Sequence, residues 1–152
     1  MRASTRDLPF AAAGFDAVIS VGAFEYFGTD VHCAVRLARP AKPGGALAMS
    51  TVSIKRGPEG TEGIPAHIQE VVGAEALAWR TPRWWEFQWS SSPRLPNVEV
   101  RRQDGARHDW REWTVAVAEH DGRDPGTDPV LRMLDVDRGE GLGIVLATAI
   151  VT

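Results

Sequence analysis

Apolar residues along the chain gather into short runs separated by polar, glycine- and proline-bearing segments, and their spacing alternates between two periods. Gly14 precedes a nearly continuous apolar run, Phe15 to Gly22, rich in β-branched residues. Such a run predicts a strand buried on both faces, as in parallel sheets. From Thr29 to Arg39 the spacing becomes helical: Thr29 or Asp30 is placed to cap the start, Val31, Ala34, Val35 and Ala38 share a face, and Pro40 lies beyond the end. Lys42-Pro43-Gly44-Gly45 is a turn signal, and a second apolar run, Ala46 to Ile54, predicts the next strand. Strand, helix, strand in this order is a βαβ unit with an expected right-handed crossover.

The later segments are more polar. Lys55 to Pro65 carries Gly57, Gly60, Gly63, Pro58 and Pro65 and predicts a long surface loop. Helical pieces are expected over Ala66–Val72 and Ala74–Trp79. A Trp-rich helix is expected to open at Thr81-Pro82 and stop near Pro93. Val98 to Val100 reads as a short strand. Asp109 to Glu119 reads as a helix with Trp113, Ala116 and Val117 on one face. A last helix over Asp128–Asp137 precedes a terminal strand, Leu142 to Val151.

Size and composition narrow the classes. A chain of 152 residues suffices for a single domain with one core. With 43% apolar and 24% charged residues, disorder and fibrous repeats are excluded. The net charge of −3 and the lack of a basic run argue against a nucleic-acid partner. Cys33, the single cysteine, rules out an internal disulfide; it fits a small core residue in a reducing, cytoplasmic setting. The longest apolar stretch, Leu142 to Val151, is too short for an integral membrane segment. His32, His67, His108 and His120 lack metal-ligand spacing, so no metal is expected. No nucleophile elbow or Walker-type loop is present.

Alternating strands and helices bind ligands at the carboxyl ends of the strands, which directs attention to Val21 through Phe27. Leu8-Pro9-Phe10, then Phe15-Asp16-Ala17-Val18-Ile19-Ser20, then Lys42-Pro43-Gly44-Gly45, in that order, resembles the S-adenosylmethionine-dependent methyltransferases of the Rossmann-like class. Ser20-Val21-Gly22-Ala23-Phe24-Glu25 followed by Gly28 is similar to the cyclopropane-fatty-acid synthase branch and its methyltransferase type 11 relatives. The Trp-rich helix and Asp109-Trp110-Arg111-Glu112-Trp113 look like that branch too. The resemblance implies an α/β fold: an incomplete Rossmann-like methyltransferase sheet, from the fourth strand onward, with flanking helices. It implies S-adenosylmethionine as cofactor and a small molecule or lipid as methyl acceptor.

Several family features are absent. The glycine-rich cofactor turn and the ribose-binding acid precede the Leu-Pro-Phe motif, which here begins at Leu8. Gly139-Glu140-Gly141-Leu142-Gly143 has the letters of such a turn but precedes a strand. Residues 1–152 therefore look like the C-terminal part of a methyltransferase domain, inactive in isolation. The position of the family's adenine-side acid holds Ser4, with Asp7 the nearest carboxylate. The strand at 16–22 is expected to pair with that at 46–54 and to leave its other edge unpaired. Such a chain is marginal alone or has another chain completing its sheet.

By resemblance, Glu25 and Tyr26 are the candidate catalytic residues. Asp7, Leu8, Ser20, Val21, Gly22 and Phe24 are candidates for the cofactor, and Phe27, Trp85 and Trp89 for the acceptor. Each has a plainer alternative. Glu25 reads equally as a solvated first-turn helix residue, Gly22 as a strand-end turn, and Tyr26 and Phe27 as loop packing. Trp85 and Trp89, like Trp110 and Trp113, read as buried helix packing. Cyclopropane synthases carry His after this Glu and a second His at about Ser50; here Tyr26 and Ser50 stand there. The runner-up to the methyltransferase reading is a non-catalytic Rossmann-like binding or dimerisation module, and cyclopropane synthesis is the third.

Overall fold

The computed structural model describes residues 8–30, 32–55 and 64–152. Strand β1 (Phe15–Val21) and strand β2 (Ala41–Ile54) pair in parallel, Ile19 opposite Ala48 and Val21 opposite Ser50. Between them lie two short helices, α1 (Phe24–Phe27) and α2 (Cys33–Ala38). Among the described residues the sheet has four strands in the order β1-β2-β4-β3, where β3 is Val98–Arg102 and β4 is Leu142–Ile150. Val151 N–H donates to Gly45 at 2.8 Å and Lys55 N–H to Gly141 at 2.8 Å, so β4 runs antiparallel to β2. Helices α3 (Ala66–Val72), α4 (Pro82–Ser90), α5 (Ala106–His120) and α6 (Pro129–Asp137) flank these strands in sequence.

The chain forms two compact units. The first comprises residues up to Thr51, Pro82–Arg101 and Val145–Thr152. Its core joins one face of the sheet, through Leu47, Met49 and Val145, to Phe24, Leu37, Trp85 and Trp89. The second comprises Val52–Thr81 and Arg102–Ile144, with Ile54, Ile68, Trp79, Met133, Leu134 and Leu142 as its core. Burying each such side chain stabilises by about 1.5–3 kcal/mol.

Most predicted elements form, and the departures have physical causes. β1 is not buried on both faces: Phe15, Ile19 and Val21 are exposed. Among the described residues the strand has a neighbour on one side only, and no described element covers that face. The helix expected over 29–39 shortens to α2, because the Asp30 carboxylate accepts the His32 N–H at 2.8 Å and the Arg36 guanidinium at 2.9 Å. Cys33 and Leu37 join Ala34 and Ala38 inside, while Val35 turns outward and Val31 lies outside the described residues. The buried Cys33 thiol has its pKa pushed up to about 11 by desolvation.

Lys42-Pro43-Gly44-Gly45 does not precede β2; it lies within it as an irregularity. Phe15 pairs with Ala41 but Ala17 already with Ala46. A Cβ on Gly45 would lie 2.8 Å from the Asp16 carbonyl oxygen, so a side chain there would push the strands apart. In α5 the expected face is wrong as well. Ala106, Thr114 and Ala118 are buried, Trp110 packs on Trp79 at 6.3 Å, and Trp113 is exposed. The polar side of this helix spans more positions than a count of aromatics suggests. Most of the predicted 55–65 loop lies outside the described residues. Among those described, no helix is long and apolar enough to cross a membrane.

Candidate functional site

At its carboxyl end β1 turns through Gly22, whose N–H donates to the Ser50 carbonyl of β2 at 2.9 Å. Its φ is +61°, a conformation that costs any side-chain-bearing residue, and no atom lies within 4 Å of where a Cβ would stand. Both earlier readings of this glycine, a simple turn and an open approach for a ligand, are compatible with that geometry. The chain then enters α1, which presents alternating chemistry: Phe24 inward, Glu25 buried, Tyr26 outward, Phe27 partly covered.

Glu25 is 3% exposed, so it is not a solvated first-turn residue. Its carboxylate accepts a short hydrogen bond from the Thr51 hydroxyl, and that hydroxyl accepts the Glu25 backbone N–H at 3.2 Å. One β2 side chain thus holds both ends of this glutamate, tying the loop after β1 to the carboxyl end of β2. A buried carboxylate without such a donor would be costly.

The remaining candidates fall into two groups. Phe24 is fully buried, with Phe27, Trp85 and Trp89 around it at ring-centroid distances of 5.2, 5.4 and 5.7 Å. Trp85 and Trp89 are themselves 0% exposed, and among the described residues their indole N–H groups have no hydrogen-bond partner. In this arrangement these aromatics form the centre of the first unit's core. Ser20 is half-buried, Val21 exposed, and Leu8 packs partly buried on the same core. Asp7 and Ser4 lie outside the described residues.

Two residues that sequence reasoning did not assign hold the site in place. Thr51 is one; its signal was a polar pair, Ser50-Thr51, inside an apolar run. Gln88 is the other. Its side-chain amide donates to the carbonyls of Gly28 at 2.5 Å and Asp30 at 3.0 Å, anchoring the segment after α1 to α4. A glutamine amid tryptophans on a helix carries no sequence signal of that role.

Residues 1–49 match the family model described as a methyltransferase domain. No curated protein matches the chain. Among solved structures, geranyl diphosphate C-methyltransferase from Streptomyces coelicolor, determined with S-adenosyl-L-homocysteine, superposes with a TM-score of 0.69 at 14% identity. The match covers 99% of this chain and 50% of that one. Phosphoethanolamine N-methyltransferase 2 from Haemonchus contortus, in complex with S-adenosyl-L-methionine, matches with a TM-score of 0.66 at 13% identity. It covers 97% of this chain and 35% of that one. The fold is that of the S-adenosylmethionine-dependent methyltransferases. In each of these comparisons the methyltransferase fold seen here occupies half or less of the larger chain. The same fold also appears in SpnF, a 4+2 cyclase, with a TM-score of 0.59 at 15% identity over 97% of this chain and 53% of that one.

Proposed function

We propose that this chain carries one half of an S-adenosylmethionine site in a methyltransferase acting on a small molecule or lipid. The observation that carries the reading is the end of β1: an open, positive-φ Gly22 followed by a buried Glu25 held by Thr51. The residues present fit one wall of a cofactor site. Ser20, Val21 and Gly22 would line it, Gly22 leaving room for close approach to the backbone. Phe24 is fully buried and would support that wall from behind.

When bound, S-adenosylmethionine supplies an electrophilic sulfonium methyl. The chain's own contribution is position and desolvation, which dominate the catalysis of an in-line displacement. Glu25, buried and held by Thr51, fixes the loop that faces the acceptor. Tyr26, exposed beside it, and Phe27 are the aromatic surfaces for the acceptor. Trp85 and Trp89 would act by holding Phe24 and Phe27.

Titration calorimetry of the full chain with S-adenosylhomocysteine tests the reading. Micromolar binding is expected, weakened about tenfold or more by Gly22→Asn, a residue that tolerates positive φ but fills the approach. Absence of binding at millimolar ligand would leave the non-catalytic Rossmann-like module. A cyclopropane-synthase activity would instead show as lipids gaining a methylene, read by mass spectrometry of expressing cells.

A further inference from the structure

Asp is followed by Gly at two places in the chain, Asp104-Gly105 and Asp121-Gly122. Both pairs are exposed, and both glycines hold positive φ, +73° and +69°. Local sequence therefore treats them alike, but their surroundings differ. Asp121 closes the carboxyl end of α5: its N–H donates to the Val117 carbonyl at 3.0 Å, and the Gly122 N–H to the Glu119 carbonyl at 3.1 Å. The Arg123 N–H donates to the Ala118 carbonyl at 2.8 Å, and the Arg123 guanidinium lies 3.4 Å from the Asp121 carboxylate. Asp104 stands at the other end of α5, in the turn that leaves β3. Among the described residues its carboxylate has no hydrogen bond or ion pair, and the Gly105 N–H has no acceptor.

We propose that Asp104 is a site of spontaneous backbone isomerisation, and that the fold protects Asp121 from the same reaction. The Gly105 amide nitrogen attacks the carboxyl carbon of the Asp104 side chain. The amide proton and the carboxyl OH leave together as water, and a cyclic imide forms. Water then adds back to one of its two carbonyls. Opening at the side-chain carbonyl restores Asp104; opening at the main-chain carbonyl routes the backbone through the side chain and gives isoaspartate. That product has the mass of the starting chain but one more carbon in its backbone. Glycine, lacking a Cβ, leaves the attacking nitrogen least hindered. At Asp104 no described bond has to break first. At Asp121 the bonds of the helix end must open, and one net hydrogen bond is worth up to about tenfold in rate. The change also falls where it disturbs α5. The Gly105 carbonyl accepts the Asp109 N–H at 3.1 Å, and the Gln103 amide donates to the Asp109 carboxylate at 2.7 Å, so an added carbon at residue 104 displaces one from the other. The inference does not rest on the cofactor reading.

Peptide mapping of the full chain is the test. The protein is held in mildly acidic buffer, folded in one series and unfolded in urea in the other, and isoaspartate is measured at each pair over time by chromatography and mass spectrometry of the digest. In the folded chain, isoaspartate should accumulate at Asp104 about tenfold faster than at Asp121. In urea the two rates should converge, because each Asp precedes Gly and the bonds at the end of α5 are gone. Asp104→Glu, which keeps the charge but needs a larger, slower-closing ring, should remove most of the isoaspartate formed by the folded chain. Asp121→Glu should leave that total nearly unchanged. Equal rates in the folded chain, a faster Asp121, or a preference for Asp104 that persists undiminished in urea would each overturn the proposal. So would a folded chain that forms none at Asp104 in the time the unfolded chain does.

Discussion

β1 and β2 lie side by side in the same sheet and are built of similar residues, yet one is inside and the other outside. Leu47 and Met49 of β2 are 1% and 2% exposed, whereas Ile19 and Val21 of β1 are 68% and 74% exposed. Hydrophobicity does not distinguish them. β2 has a strand on each side and its Leu47 face carries Phe24, Trp85 and Trp89 in one core cluster. β1 has a strand on one side, and Ile19 and Val21 point away from that core. Gly22 N–H points to β2, so alternation along β1 turns the N–H groups of Val21 and Ile19 toward the open edge. Burial is thus a property of the neighbours that a strand acquires, and the apolar content of β1 exceeds what its present neighbours use.

That contrast is open to measurement. The largest effect is expected from truncating the two strands at equivalent apolar positions. Leu47→Ala should cost about 2–5 kcal/mol by urea denaturation, while Ile19→Ala in the same protein should change stability by about 0.5 kcal/mol or less. Equal losses would mean that β1 is covered in solution.

A smaller effect is expected at the junction of the two strands' carboxyl ends. Thr51→Val keeps the shape but removes the hydroxyl that satisfies Glu25, at an expected cost of about 1–3 kcal/mol. Glu25→Gln retains an acceptor for that hydroxyl and should cost less. If Thr51→Val proves neutral, Glu25 is not held as described, and the site loses its positioning residue.

The smallest effect lies at the strands' other ends, where Lys42 donates to Asp16 at 2.7 Å. That hydrogen bond, with the lysine's charge, holds the Asp16 carboxyl below its ordinary pKa. A lowered pKa in the folded state stabilises above the unfolded value and is lost as pH falls through the folded one. The tie between β1 and β2 should therefore weaken only below about pH 4, the ordinary aspartate range. Asp16→Asn should remove a small part of the acid slope in a pH series of thermal unfolding, and leave neutral-pH stability nearly unchanged because the pair is exposed. A large loss at neutral pH would show that this tie, not sheet pairing, holds β1 in place.

Much of this fold is legible in the sequence. α3 and α6 begin and end where proline, cap and apolar period place them: Asp128 accepts the Val130 N–H at 2.9 Å, ahead of Pro129. β1, β3 and β4 fall within a residue or two of their apolar runs. Errors arose where periodicity was asked to say which side is inside. Size and apolarity place Trp113 and Val35 on buried faces, but α5 presents Thr114 there and α2 presents Leu37. The candidate site was half legible. Glu25 and Gly22 followed from their place at a strand end, whereas Thr51 and Gln88 act across 26 and 60 residues of chain, distances that no local pattern encodes.

The sequence by itself determined the elements, their order, and the resemblance to half of a methyltransferase, because strand and helix periods, caps and turns are local and each leaves a mark on neighbouring residues. Only the tertiary structure decided that Glu25 is buried, that Trp85 and Trp89 are core, and that Ile19 and Val21 face no neighbour. Those outcomes depend on which distant segments arrive to exclude water. The same apolar letters therefore make an interior in β2 and an open face in β1.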